Sequence, residues 1–142
     1  RGAMLGYLNA TAEQDEEGWL CTGDLVEQDG DWLRILGRES DIINVGGEKV
    51  VPAEVEAIIN GLDFVHDCTV RGERQPIVGM AVVCDVAVDD AVLQSSPAER
   101  RKLARVVRQR CREELPVYKV PVRVDFVART VVTARQKKIR RD

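Results

Sequence analysis

The pattern of apolar and polar residues over residues 20–37 predicts a β-hairpin. This segment reads LCTGDLVEQDGDWLRILG, with an Asp-Gly pair between two strand-like runs. Asp29-Gly30 favours the positive backbone angles of a two-residue turn, so we expect Val26 to lie opposite Leu33. Residues 1–18 carry glycines and an acidic run and are predicted to form a loop.

The next segment, DIINVGGEKVVPAEVEAII, predicts two short strands and a helix. DIINV is typical of a buried strand, Gly46-Gly47 of a turn, and EKVV of a second strand. Pro52 suits the first position of a helix, where its missing N–H has no partner in the helix. We expect this helix to end at Gly61, with Val55, Ile58 and Ile59 on its apolar face and Glu54 and Glu56 near its positive end.

The second half of the chain predicts two more strands, a long helix and a last strand. The strands are FVHDCTVRG and IVGMAVVCDVAV, separated by the turn-like ERQP. Ser96-Pro97-Ala98-Glu99 forms a capping box, and the helix after it is expected to run to about Leu115. Its predicted buried stripe is Leu103, Val107 and Cys111, and its predicted water-facing arginines are Arg100, Arg101, Arg105, Arg108, Arg110 and Arg112. VPVRVDFV is the last strand, and the absence of regular βαβ alternation predicts an α+β domain.

Charge is distributed unevenly along the 142 residues, although the net charge is only −3. Residues 1–97 hold 6 Lys/Arg and 19 Asp/Glu, and residues 98–142 hold 15 Lys/Arg and 5 Asp/Glu. A basic C-terminal part either meets an anionic partner or is a solvated cationic face that complements the acidic part. The sequence alone leaves both open.

Cysteine and histidine usage argues against a metal site and against a nucleophilic triad. Four cysteines, at 21, 68, 84 and 111, lack paired ligand spacing, and His66 is the one histidine. We therefore expect reduced thiols, no bound structural metal and a cytoplasmic location. No apolar run is long enough for a membrane span, the start lacks a signal-peptide core, and the start at Arg1 suggests a piece of a longer chain.

A few polar residues could carry chemistry, although each alone also has a plain structural explanation. Asp24 offers a bidentate acceptor for ribose hydroxyls or is a turn aspartate. Arg38 could bind phosphate, ribose or a nearby carboxylate. Gly46-Gly47 allows a narrow ligand to approach the backbone, or only a tight turn. Lys137-Lys138 could stabilise developing phosphate charge, or belong to a solvated charge run.

In order and spacing, these segments resemble the adenylate-forming ligase superfamily. The segments are GWLCTGDL, then GRESDIINVGGEKVVPAEVE, then YKVP and a terminal KKIRR. That superfamily includes acyl-CoA synthetases, the adenylation domains of peptide synthetases and luciferases. The resemblance covers essentially the whole chain, which corresponds to the last quarter of such an enzyme.

The resemblance implies an ATP-dependent acid-thiol ligase that works in two steps. A carboxylic acid attacks the α-phosphate of ATP, giving an acyl-adenylate and pyrophosphate. A thiol then displaces AMP; it belongs to coenzyme A or to the phosphopantetheine of an acyl- or peptidyl-carrier protein. ATP and Mg²⁺ would be bound mainly by a large N-terminal domain. In such enzymes the small C-terminal domain pivots and presents a different face for each step.

The resemblance also assigns expected roles to residues of this chain. Asp24 would hold the ribose hydroxyls, and Arg38 would contact the nucleotide near the ribose. Ser40 occupies the hinge position, where many relatives have Asp or Lys. In the thioester step, Asn44 and Gly47 would face the active site, with Gly47 leaving room for the pantetheine arm. Lys49 would meet a coenzyme A phosphate.

The basic tail is expected to supply the catalytic lysine. Relatives typically read T-x-x-G-K-I-x-R, and the matching segment here is ARQKKIRR. Lys138 is therefore the counterpart of the lysine that bridges the substrate carboxylate and the α-phosphate. Lys137 stands where glycine is usual, and Val131-Val132 replaces the usual Leu-Pro.

The resemblance implies that the chain is a fragment of such an enzyme and is inactive by itself. Residues 1–38 would be the end of the large AMP-binding domain, 39–40 the hinge, and 41–142 the complete small domain, an α+β unit with a small mixed sheet and flanking helices. The chain contains no phosphate loop and is too short for an acyl pocket. A competing hypothesis is a stand-alone basic module that binds nucleic acid or an acidic protein, but Tyr118 and Phe126 are the only aromatics in its basic segment, so no nucleic acid is expected.

Overall fold

A computed structural model describes residues 16–19, 21–76 and 79–129 of the chain. Within these residues, two short hairpins precede a three-stranded sheet with helices. The elements in chain order are β1 Asp24–Asp29, β2 Trp32–Arg38, β3 Ile43–Val45, β4 Glu48–Val50, α1 Pro52–Ile59, β5 Asp67–Gln75, β6 Gly79–Ala87, α2 Asp90–Leu93, α3 Pro97–Glu114 and β7 Arg123–Val127. Single 3-10 turns lie at Glu39–Asp41 and Val117–Lys119.

The predicted first hairpin is confirmed, but its predicted register was wrong. β1 and β2 are antiparallel, and Asp29 pairs with Trp32, so the two turn residues are Gly30 and Asp31. Val26 therefore lies opposite Ile35 and not Leu33. Gly30 takes the first turn position with a φ of 60°, a conformation that glycine adopts at little steric cost.

This first hairpin leaves large apolar side chains in contact with solvent. Trp32 is 82% exposed, and Ile35 is 71% exposed. Val26 and Leu33 are also exposed. The hairpin forms a sheet of its own, with no third strand among the residues that the structure describes. Its position is instead fixed by contact with α1, where Gly37 approaches Val51 at the start of that helix.

The second hairpin and the helix after it form as predicted. β3 and β4 are antiparallel, and their buried residues Ile43 and Val50 pair with each other. Pro52 is the first residue of α1, and Asn60 caps its carboxyl end just before Gly61. Val55 and Ile59 are fully buried. Burying such aliphatic side chains stabilises the fold by roughly 1.5–3 kcal/mol each.

The central sheet is mixed, as expected for this α+β fold. Its strand order is β5-β6-β7, with β5 antiparallel and β7 parallel to β6. A parallel neighbour needs a crossover connection, and α2 and α3 lie in the connection between β6 and β7. The side of the sheet that meets the helices holds the core, whose sheet residues are Cys68, Val70, Val82, Cys84 and Val86.

Helix α3 begins with the predicted capping box. The Ser96 hydroxyl accepts a bond from the Glu99 N–H, and the Glu99 carboxylate accepts one from the Ser96 N–H at 2.8 Å. Because the Glu99 carboxylate receives hydrogen bonds from the Ser96 hydroxyl and backbone, its pKa lies below the ordinary value. The helix ends at Glu114, with Leu115 as its cap.

Two details of α3 differ from the sequence-based expectation. Ala104 is buried together with Val107 and Cys111, whereas Leu103 is only half-buried. Arg100 and Arg108 do not simply face water, because each donates to a backbone carbonyl. Arg100 bonds the Leu93 carbonyl at 2.7 Å, and Arg108 bonds the Val122 carbonyl at 3.2 Å.

A buried carboxylate joins α1 to the edge of the central sheet. Glu56 is 7% exposed, and its Oε1 accepts a hydrogen bond of 2.8 Å from the Val70 N–H of β5. β5 is one of the two edge strands of the sheet. A second link joins the start of α1 to the 3-10 turn before β7, where Lys119 pairs with Glu54. Both carboxylates were predicted to lie near the positive end of the helix, and the structure adds these specific partners.

Candidate functional site

Asp24 and Arg38 lie side by side at the open end of the first hairpin. They are paired residues of β1 and β2, and Arg38 Nε lies 3.2 Å from Asp24 Oδ1. About half of the Arg38 side chain and a third of the Asp24 side chain remain exposed. The pair therefore leaves polar atoms of both residues accessible to a bound molecule. A carboxylate next to a guanidinium is an arrangement that can hold vicinal hydroxyls and an adjacent anionic group.

Ser40 lies in the short turn that connects the two hairpins. This 3-10 turn, Glu39–Asp41, holds one bond within itself, from the Ile42 N–H to the Glu39 carbonyl at 3.3 Å. The Glu39 N–H also donates to the Gly23 carbonyl at 2.8 Å, which ties the turn to the first hairpin. Ser40 is exposed, and within the described part of the chain its hydroxyl donates to the adjacent Asp41 carboxylate at 3.3 Å. A change of backbone direction here would alter the bond between Glu39 and Gly23 and the contact of β2 with α1.

The tip of the second hairpin is narrow and open. Gly46 and Gly47 both have positive φ, at 60° and 96°. The Asn44 side-chain oxygen accepts a bond of 2.9 Å from the Gly47 N–H, which holds the turn in shape. Among the residues that the structure describes, and apart from Gly47 and its two chain neighbours, no atom lies within 4 Å of the position that a Gly47 Cβ would occupy. The glycine is therefore not required by packing within the described residues, and its surface is free for another molecule to approach.

Lys49 lies directly across the hairpin from Asn44. Both side chains are exposed, and together with Gly47 they define a small polar surface at the tip. The structure thus assembles the predicted residues into two groups on neighbouring hairpins. One group is Asp24 with Arg38, the other is Asn44, Gly47 and Lys49, and Ser40 lies in the segment between them. Lys137 and Lys138, the predicted catalytic region, lie outside the described residues.

No cluster of metal ligands converges in the part of the chain that the structure describes. The same residues form no helix that is both long and apolar enough to span a bilayer.

Residues 54–137 match the sequence model of the AMP-binding enzyme C-terminal domain, and the chain belongs to this family. The family predicted from the sequence motifs is therefore confirmed. The fold class is confirmed as well, since the similar solved structures are adenylate-forming enzymes.

Among curated relatives, the chain is 38% identical over 135 residues to the 2-succinylbenzoate–CoA ligase of Geobacillus kaustophilus, covering 94% of this chain and 26% of that protein. It is 37% identical over 127 residues to a long-chain-fatty-acid–CoA ligase of Yersinia pestis, covering 87% of this chain and 21% of that protein. The chain thus spans between a fifth and just over a quarter of the length of these relatives.

Two solved structures are also similar to this chain over most of its length. The amide bond synthetase McbA from Marinactinospora thermotolerans superposes with a TM-score of 0.79 at 32% identity, covering 95% of this chain and 27% of that one. The anthranilate CoA ligase AuaEII in complex with anthranoyl-AMP superposes with a TM-score of 0.74 at 28% identity, covering 88% of this chain and 24% of that one.

Sequence reasoning missed two contacts that hold the candidate site in place. The bond from Val70 to Glu56 and the Lys119–Glu54 pair both anchor α1, which directly follows the second hairpin. The acidic pattern of PAEVE was visible, but nothing local in it indicates a partner 14 or 65 residues away.

Proposed function

We propose that this chain is the C-terminal part of an ATP-dependent acid-thiol ligase and that it is inactive by itself. In the full-length enzyme, an oxygen of the carboxylic acid forms a bond to the α-phosphorus of ATP, and pyrophosphate leaves. The sulfur of a thiol then forms a bond to the acyl carbon, AMP leaves, and the thiol proton passes to solvent. The membership in the AMP-binding C-terminal domain family supports this reaction class.

The observation that carries the proposal is the open glycine tip of the second hairpin. Gly47 combines a positive φ with empty space around its missing side chain. A thiol on a long, thin pantetheine arm needs such a surface, because a side chain there would occupy its path. Asn44 keeps the tip in this shape, and Lys49 adds a positive charge for a phosphate of coenzyme A.

We assign the first step to groups on the other side of the hinge and in the tail. The Asp24–Arg38 pair binds the ribose and the neighbouring part of the nucleotide. Lys138 stabilises the charge that builds on the α-phosphate in the transition state. Rotation about Ser40 removes this lysine after adenylation, so that the Gly47 tip can take its place. We place the domain boundary at this turn, between residues 1–38 and 41–142.

Coenzyme A is our preferred acceptor, in line with the CoA ligases among the relatives. A carrier protein that presents phosphopantetheine is the alternative, since the same arm would pass the same tip. The acyl substrate and ATP with its Mg²⁺ would be bound mainly by the large domain.

The first test separates the two half-reactions in the full-length enzyme. Lys138→Ala should lower acyl-adenylate formation, measured by pyrophosphate release, by about 100-fold or more, because it removes a preorganised charge from the transition state. Thioester formation from supplied acyl-adenylate should be nearly unchanged. Lys137→Ala is the matched control and should retain both steps. Equal loss of both half-reactions in Lys138→Ala would contradict the assigned role.

The second test addresses the glycine tip. Gly47→Leu should leave adenylation unchanged and reduce transfer to coenzyme A by at least about tenfold. Gly47→Ala is the control, because it imposes the same backbone strain with much less bulk. Normal thiol transfer by Gly47→Leu, or equal losses in the two variants, would remove Gly47 from the path of the arm. A panel of carboxylic acids in the same adenylation assay would identify the substrate.

A further inference from the structure

Four arginines form a row along one side of helix α3. Their spacing of four, three and four residues keeps side chains on one side of an α-helix. At 1.5 Å per residue, the row spans about 16 Å. We call Arg101, Arg105, Arg108 and Arg112 the arginine row.

Most of this charge is not neutralised within the described residues. Arg101, Arg105 and Arg112 have no ion pair or hydrogen bond there, while Arg108 donates to the Val122 carbonyl at 3.2 Å. Arg110 of the same helix instead pairs with Glu114 at 2.6 Å. The helix as a whole carries seven basic and three acidic side chains. A row of unpaired guanidinium groups is a surface that attracts anions.

A shallow groove of about 540 Å³ adjoins the arginine row. Its apolar lining comes from Val106, which is 43% exposed, and from the half-buried Leu62 after α1. Arg105, Arg108 and Arg112 lie among the groups around it. An apolar centre bordered by charged side chains is the usual anatomy of a protein–protein interface.

We propose that this face of α3 binds an acidic amphipathic helix of a partner protein. The carboxylates of such a helix, at the same spacing, would meet the arginine row, and an aliphatic side chain beside them would rest on Val106 and Leu62. Guanidinium groups suit this partner because they bind carboxylates in a bidentate manner. The proposal goes beyond the ligase function, which uses none of these residues.

Other anionic partners fit this face less well. Membrane-binding helices present bulky apolar or aromatic side chains towards the lipid, whereas Val106 is the only apolar α3 residue that lines the groove. Single-stranded nucleic acid needs aromatic side chains for stacking, and the groove lining holds none. Glu113 also lines the groove, but it lies 4.0 Å from Arg110, so the charge around the groove remains positive overall.

The test uses the full 142-residue chain and two synthetic peptides of equal composition. In the first peptide, four glutamates follow the spacing of the arginine row and leucines lie beside them. In the second, the same residues are distributed around all sides of the helix. Fluorescence anisotropy should show that the first peptide binds at least about tenfold more tightly, and that added salt weakens this binding.

Variants then locate the binding surface. The triple change Arg101→Gln, Arg105→Gln and Arg112→Gln should weaken binding about tenfold or more, and Val106→Ser should weaken it about threefold. Arg108 is left in place because it bonds the Val122 carbonyl. A control triple removes the same charge elsewhere, at the exposed residues Arg34, Arg74 and Arg129, and should change binding by less than about twofold.

Several results would overturn the proposal. These are equal binding of the two peptides, no binding of either, or equal losses in the two triple variants when circular dichroism shows both folded. Tighter binding to anionic phospholipid vesicles or to duplex DNA, with the same sensitivity to the row variants, would replace the protein partner by a lipid or a nucleic acid.

Discussion

The bond between Glu56 and Val70 gives a direct test of how the second hairpin and α1 are held on the sheet. Glu56→Ala removes a carboxylate that is 7% exposed and whose Oε1 lies 2.8 Å from the Val70 N–H. The N–H then loses its acceptor in a place where water has little access. Losing a hydrogen bond to a charged group costs roughly 1.5–3 kcal/mol, and deleting buried methylene groups adds to this.

We therefore expect Glu56→Ala to lower the free energy of unfolding by about 3 kcal/mol, which is a large share of the 5–15 kcal/mol typical of a domain. For a chain of this length, the melting temperature should fall by about 10 °C. Glu56→Gln keeps an oxygen acceptor of similar shape and should lose no more than about half as much.

Urea denaturation followed by circular dichroism measures these differences, and hydrogen exchange of the Val70 amide reports on the bond itself. Glu48→Ala, at an exposed glutamate of β4, is the matched control and should stay within about 0.5 kcal/mol of the unmodified chain. If Glu56→Ala were as stable as Glu48→Ala, or if Val70 exchange were unchanged, the bond could not be an anchor of the sheet edge.

Two further predictions concern the capping box and the thiols. Ser96→Ala should lower the melting temperature by a few degrees and raise the pKa of Glu99 towards its ordinary value. A lowered carboxyl pKa contributes stability that is present above the unfolded-state pKa and is lost as the pH falls through the folded-state pKa, so the stability difference between the two proteins should shrink in acid. An NMR titration that finds the Glu99 pKa unchanged in Ser96→Ala would contradict this. At pH 8, an aromatic disulfide reagent should react quickly with the exposed Cys21 alone, because the other three thiols are buried. Burial raises the pKa of Cys111 to about 11. A hydrogen bond with the Cys68 sulfur, together with burial, raises the pKa of Cys84 well above its usual value. All four thiols should react in denaturant, and more than one fast thiol in the folded chain would refute the buried cluster.

Local signals in the sequence predicted most of the fold. Pro52 and the Ser96–Glu99 box each fixed the start of a helix, because the groups that satisfy a helix end lie within a few residues of it. The register of the first hairpin was not predictable in this way. Asp29-Gly30 and Gly30-Asp31 are both plausible turns, and the pairing of Asp29 with Trp32 decides between them.

For the candidate site, the sequence indicated which residues pair across each hairpin but not what holds the hairpins in place. Asp24 and Arg38, and likewise Asn44 and Lys49, meet because a hairpin places its own two strands side by side. The contacts that position these hairpins involve distant residues, such as Lys119 with Glu54, and no local pattern encodes them. The arginines of α3 show the same limit, since their spacing was evident from the sequence, but which of them find partners and that a groove lies beside them were not.

The solvent-facing Trp32, Leu33 and Ile35 of the first hairpin also matter for handling the protein. Within the described residues β1 and β2 pair only with each other, and a two-stranded ribbon with open backbone edges and exposed apolar side chains is a template on which other chains can add as strands. In preparations of this chain by itself, the ribbon is the place where aggregation would begin, and polar replacements at these three positions are the first remedy to try.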